Sequence, residues 1–122
     1  MTIEGGCFCG SVRYSIESGK YLVANCHCSM CRKTSAAPFV TWMVVPTHAF
    51  RYSRGQPKLL ESSSKGSRYF CEECGTPLAC VIKSRPDEID ITTGSLDQPD
   101  DFVPSVAVHQ DSKLAWLNQT EF

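Results

Sequence analysis

The chain has 122 residues, with 12 Lys and Arg against 13 Asp and Glu and a formal net charge of -1. That length suits one domain over 1–122, since a single core usually takes about 100 to 200 residues, and the balanced charge lacks the basic excess that nucleic-acid binding needs. No run reaches the roughly 18 apolar residues that cross a bilayer, and residues 1–6 hold no basic segment followed by an apolar one; a soluble, unexported, cytoplasmic protein without a membrane partner is expected.

In chain order, the first feature is Cys7-Phe8-Cys9 followed by Gly10. Val12, Tyr14 and Ile16 then alternate with Ser11, Arg13 and Ser15, the pattern of a strand with one buried face. After a short run over 21–25 comes Cys26-His27-Cys28-Ser29-Met30-Cys31, where the segment Ser29–Ser35 carries the one helical signal and Ser29 is placed to cap a single turn bearing Cys31. β-rich runs follow over 39–45, 50–53 and 58–61, and the polar stretch 61–67 reads as a loop between strands. Next are a run over 68–70, Cys71-Glu72-Glu73-Cys74-Gly75, and runs over 77–82, 89–92 and 103–108. A mainly β domain of several short sheets is predicted. The aromatics Phe39, Trp42, Phe50, Tyr52, Tyr69, Phe70 and Trp116 read mostly as core.

The eight cysteines need an explanation in so short a chain. Four disulfides would serve in a secreted protein, but thiols that stay in a reducing compartment are more often metal ligands or redox groups. Within Cys7-Phe8-Cys9 and Cys26-His27-Cys28 a disulfide would strain its own geometry, whereas one metal ion accepts both thiolates at about 2.3 Å. Cys7, Cys9, Cys71 and Cys74 fit a closed four-thiolate site. Each pair forms a knuckle, and Gly75 permits the tight turn that aims amides at sulfur. Such a site holds structure, tying the N-terminal strand to a later hairpin.

Cys26, Cys28 and Cys31 supply three ligands and leave a position free, the pattern of a catalytic zinc site. Three thiolates on Zn²⁺ carry a net charge of about -1, which favours binding a soft thiol over activating hydroxide. A second closed structural site, with its fourth ligand from elsewhere, is the alternative. His27 lies between two ligands and points to the opposite face, toward outer hydrogen bonding or packing. Cys80, in an apolar run, reads as a buried hydrophobe, with a fourth-ligand or resolving role as the other reading. Arg32 and Lys33 follow the triad directly, where they would lower thiolate pKa values or bind a substrate carboxylate; plain solvation is their other reading. His109 faces a pocket or solvent and is the candidate general acid, with water as its alternative.

Three stretches, Gly-Gly-Cys-Phe-Cys-Gly-Ser-Val-Arg-Tyr from Gly5, Cys-His-Cys-Ser-Met-Cys-Arg-Lys from Cys26 and Ser-Arg-Tyr-Phe-Cys-Glu-Glu-Cys-Gly-Thr-Pro-Leu from Ser67, strongly resemble the glutathione-dependent formaldehyde-activating enzyme family. The resemblance extends through Gly94-Ser95-Leu96-Asp97 and from His109 to Trp116. It implies a beta-tent fold of short coiled antiparallel sheets around zinc, with Cys7, Cys9, Cys71 and Cys74 as the structural site and Cys26, Cys28 and Cys31 as the catalytic one. It further implies two zinc ions per chain and a carbon-sulfur lyase chemistry that joins formaldehyde to glutathione as S-hydroxymethylglutathione. The chain departs from the family pattern at Ala36, where a glycine is expected, a change that bears on the pocket beside the metal. Two other classes compete with this enzyme: a non-enzymatic zinc module that binds a protein, and a redox enzyme cycling a Cys28–Cys31 disulfide.

Overall fold

The computed structural model describes residues 1–118. Its strands form two sheets, the mainly β architecture expected. In the smaller, β1 (Thr2–Gly6) pairs antiparallel with β2 (Arg13–Glu17), and β2 with β5 (Phe50–Arg54). The larger runs, in spatial order, β10 (Val106–Val108), β3 (Leu22–Cys26), β4 (Val40–Pro46), β9 (Glu88–Thr92), β8 (Pro77–Ile82), β7 (Gly66–Phe70) and β6 (Lys58–Ser63). Neighbours are antiparallel except β10, which lies parallel to β3 at the sheet edge. No helix among the described residues is long and apolar enough to cross a membrane.

β4 takes a central place because its Val, Thr, Trp and Met side chains suit a pleat covered on both sides. Val40, Trp42, Met43 and Val45 are all buried in it. Tyr14 and Ile16 of the small sheet share one buried cluster with Met43, Val45, Leu78 and Ile91 of the large one. At roughly 1.5 to 3 kcal/mol for each large side chain removed from water, this contact is what holds the two sheets face to face. A smaller cluster of Cys26, Cys31, Val40, Trp42 and Cys80 lies beside it.

Several expectations needed correction. β1 was not anticipated, because Gly5 and Gly6 disfavour a strand in isolation; its pairing with β2, from Thr2 opposite Glu17 to Gly6 opposite Arg13, stabilises it instead. Ser15 is buried along with Tyr14 and Ile16, since its cross-strand partners Glu4 and Arg51 flank it. The stretch 61–67 is mostly strand: β6 continues to Ser63, β7 starts at Gly66, and only a two-residue turn separates them. The run predicted over 103–108 shrinks to Val106–Val108. Pro104 has no N–H to give a ladder, and the chain joins β3 only from Ser105, whose N–H donates to Val23 O at 2.9 Å.

The expected helix α1 spans Ser29–Ser35, but its cap is Cys28, not Ser29. Cys28 has extended backbone angles and its sulfur accepts the Cys31 N–H at 3.2 Å. A residue chosen as a ligand thus also starts the helix that carries the next ligand.

Candidate metal centres and groove

The turn between β1 and β2 and the turn between β7 and β8 meet at the first cysteine group. Cys7 N–H donates to Val12 O, and Cys71 N–H to Thr76 O, both at 3.0 Å, so each turn closes on itself. Gly10 and Gly75 take positive φ, both at 83°, where a side chain would be strained. The Phe8 N–H donates to Thr76 Oγ1 at 3.0 Å and stitches one knuckle to the other.

The four sulfurs of Cys7, Cys9, Cys71 and Cys74 lie within 4.8 Å of one another. Cys7 and Cys9 sulfurs are 3.6 Å apart, and Cys9 and Cys71 sulfurs 3.8 Å. A tetrahedron built on metal–sulfur bonds of about 2.3 Å has edges of about 3.8 Å, so this donor set fits a thiolate-bound metal. Its surroundings favour the thiolate at Cys7 and Cys74. Val12 N–H donates to Cys7 Sγ at 3.3 Å, and the Thr76 hydroxyl lies 3.2 Å from Cys74 Sγ and, as the first cause, draws that thiol's pKa down to about 5.

The second group gathers at the end of β3 and on α1. Sulfurs of Cys26, Cys28 and Cys31 also lie within 4.8 Å of one another, with Cys26 and Cys31 3.5 Å apart. No fourth Cys, His, Asp or Glu joins them among the described residues. Contact with Cys26, then Cys28 and Arg68, draws the Cys31 thiol down, while contact with Cys31 and burial push Cys26 up. Arg68, from β7, donates from Nη2 to Cys31 Sγ at 3.6 Å, and its guanidinium sits 6.0 Å over the Trp42 ring.

The other candidates are scattered around this centre. His27 is buried and packs at a tilt against Phe39 with ring centroids 5.0 Å apart, and burial lowers its pKa. Cys80 is buried in the cluster beside the three thiols, and burial raises its pKa to about 11, as an apolar thiol should behave. Arg32 donates to Ser112 O at 3.1 Å, Lys33 is exposed, and His109 is exposed with a left-handed φ of 55°.

A groove of about 640 Å³ opens beside the second group and runs toward the first. Thr34 and Ser35 of α1, Trp42 of β4 and Arg68 of β7 line one end, and Gly75 and Thr76 the other. Cys26, Cys28 and Cys31 are not themselves among its lining residues, and nor are Arg32, Lys33 and His109. Nor is Ala36, which is exposed, although its neighbours Ser35 and Ala37 both line the groove. Arg68 was overlooked in the sequence; the signal was a lone arginine between Ser67 and Tyr69, three residues before the Cys71 knuckle.

The family model described as "Glutathione-dependent formaldehyde-activating enzyme" matches residues 2–112. A Halomonas elongata protein named "Putative glutathione-dependent formaldehyde-activating enzyme" is 33% identical over 64% of this chain and 55% of its own. An uncharacterized lyase of Schizosaccharomyces pombe is 29% identical over 62% of this chain and 54% of its own. The chain thus spans about half the length of the curated relatives it matches. A Rhodobacter sphaeroides protein of known crystal structure shares the fold, with a TM-score of 0.70 and 23% identity over 86% of this chain and 99% of that one.

Proposed function

Since the chain belongs to the glutathione-dependent formaldehyde-activating enzyme family, we propose that it is a zinc-dependent enzyme of the carbon-sulfur lyase kind, joining a small thiol, glutathione or a similar molecule, to an aldehyde such as formaldehyde. The observation that carries this reading is the three-thiol group, with no fourth protein ligand among the described residues, beside a groove whose lining residue Arg68 touches Cys31. Cys7, Cys9, Cys71 and Cys74 would hold a structural zinc, and Cys26, Cys28 and Cys31 the one at the reaction site. Zinc bound there would offer a free coordination position that keeps a substrate sulfur in its thiolate form.

The chain's own residues account for the rest. Cys28 and Cys31 are set by the helix cap, which holds the triad in register without a substrate. Arg68 offsets the negative charge of the thiolates beside it. Forming the product makes one C–S bond, moves the carbonyl electron pair onto oxygen, and requires one proton there. Water, or the exposed His109, would supply it.

The test is a Cys28→Ala variant assayed by NMR for adduct formation from formaldehyde and glutathione, above the uncatalysed rate. Metal content should fall from two to one per chain, with at least a hundredfold loss of rate and an unchanged circular dichroism spectrum. Catalysis equal to the parent would refute the reading. The competing non-enzymatic module draws on the exposed Val103, Val106 and Val108 along the β10 edge; it predicts two equally inert zinc ions and no rate above background.

A further inference from the structure

The two cysteine groups differ in the charge around them. In the first, neutral groups meet the sulfurs: the Val12 N–H at 3.3 Å from Cys7, the Ser11 hydroxyl at 3.1 Å from Cys9 and the Thr76 hydroxyl at 3.2 Å from Cys74. In the second, the donor is a cation, Arg68 Nη2–H, at 3.6 Å from Cys31 Sγ. This arginine is half-buried and held from another side by the Trp42 ring, 6.0 Å from its guanidinium carbon. No ion pair among the described residues includes Arg68. Asp90, two strands away across Cys80, takes its cation from Arg85 at 3.2 Å. The cations that follow the triad in sequence are not placed to do the same, because Arg32 donates to Ser112 O at 3.1 Å and Lys33 is exposed. Three thiolates on a divalent ion leave a net charge of about -1, and a fourth from a substrate would bring it to about -2. A fixed cation hydrogen-bonded to one of those sulfurs offsets part of that charge, and does so more strongly away from bulk water.

We propose that Arg68 is a positioning residue of the three-thiol centre, whose fixed charge makes the free coordination position favour an anionic sulfur over a neutral ligand. The inference rests on zinc being held by Cys26, Cys28 and Cys31, as proposed above. Arg68 acts through Cys31: its N–H···S bond draws electron density from that ligand, and its charge lowers the cost of adding a further thiolate. Any thiol gains from this, glutathione included, because the charge that matters is on the sulfur. The sheet delivers the cation. Arg68 lies on β7, three residues before Cys71, so the strand that ends in one knuckle of the first group also supplies the second. The first group, with four thiolates and no cation among the donors named above, has no further ligand to receive.

The experiment loads the full chain with Co²⁺ in place of zinc, so that a ligand entering the metal's coordination sphere changes the visible spectrum. After metal content is measured, 2-mercaptoethanol, which binds as an anion, and imidazole, which binds uncharged, are titrated at one pH into the parent, Arg68→Lys and Arg68→Met. The thiol should bind Arg68→Met about tenfold or more weakly than the parent, the scale of a hydrogen bond to a charged group, with Arg68→Lys between them and imidazole affinity within about twofold throughout. Equal thiol affinity in parent and Arg68→Met, or a parallel loss of thiol and imidazole, would overturn the proposal. Should Arg68→Met not hold the second metal ion, Arg68→Gln, which keeps an N–H donor without the charge, takes its place with the same expected loss. Binding is read without aldehyde or turnover, so an absent lyase rate leaves this comparison standing. A parent that holds one metal ion, or whose spectrum neither ligand changes, refutes the open zinc site itself and this inference with it.

Discussion

Cys28 performs two tasks with one sulfur. It accepts the Cys31 N–H, one of the free amides of the helix's first turn, and sits with Cys26 and Cys31, so the helix cap and the metal-binding geometry are set together. At the other end of that helix, Ala36 takes φ 56° and ψ 24°, a left-handed conformation that costs an L-residue about 1 to 2 kcal/mol. Ala36→Gly should relieve that strain and lose part of the gain to glycine's larger unfolded-state freedom, for a net stabilisation below about 1 kcal/mol. Urea denaturation of the two proteins checks this; a lower midpoint for Ala36→Gly would show that the strain is absorbed elsewhere. Ligand affinity should not change, because Ala36 does not line the groove.

At the scale of the element, β1 illustrates a strand made by its neighbours. Gly5 pairs with Tyr14 on one side and bridges Leu96 on the other. A Cβ at Gly5 would run into the Tyr14 hydroxyl and come within 2.7 Å of Ser95 O, in a region where Tyr14 and Ser95 hydroxyls hydrogen-bond at 2.6 Å. Gly5→Ala should therefore cost about 1 to 3 kcal/mol, the usual penalty of overpacking. The expected result is a lower thermal midpoint with zinc content unchanged, since Cys7 lies beyond the strand. Full stability in that variant would mean that Tyr14 swings away without loss.

For the whole molecule, the first cysteine group is a cross-link. It joins the turn of the small sheet to a turn of the large one, between residues such as Cys9 and Cys71 that are 62 positions apart. The second group lies within six residues at one edge of the fold. Losing a metal from the first should release long-range order, and losing it from the second should not. Scanning calorimetry should show no cooperative transition, or a greatly lowered one, for Cys71→Ser, and a cooperative transition within about 10 °C of the parent for Cys28→Ser. Equal effects would remove the distinction between a structural and an open site. The two cysteine groups, the mainly β character and the helix at 29–35 were legible in the sequence because local spacing sets them: knuckles with Gly75, overlapping cysteine pairs, and alternating apolar residues. Tertiary structure alone decided the rest. It formed β1 by pairing, placed β10 parallel to β3, and moved Arg32 and His109 away from the groove while bringing Arg68 into it. Those outcomes depend on which strand lies beside which, and a contact between Arg68 and Cys31, 37 residues apart, exists only once the sheet has closed.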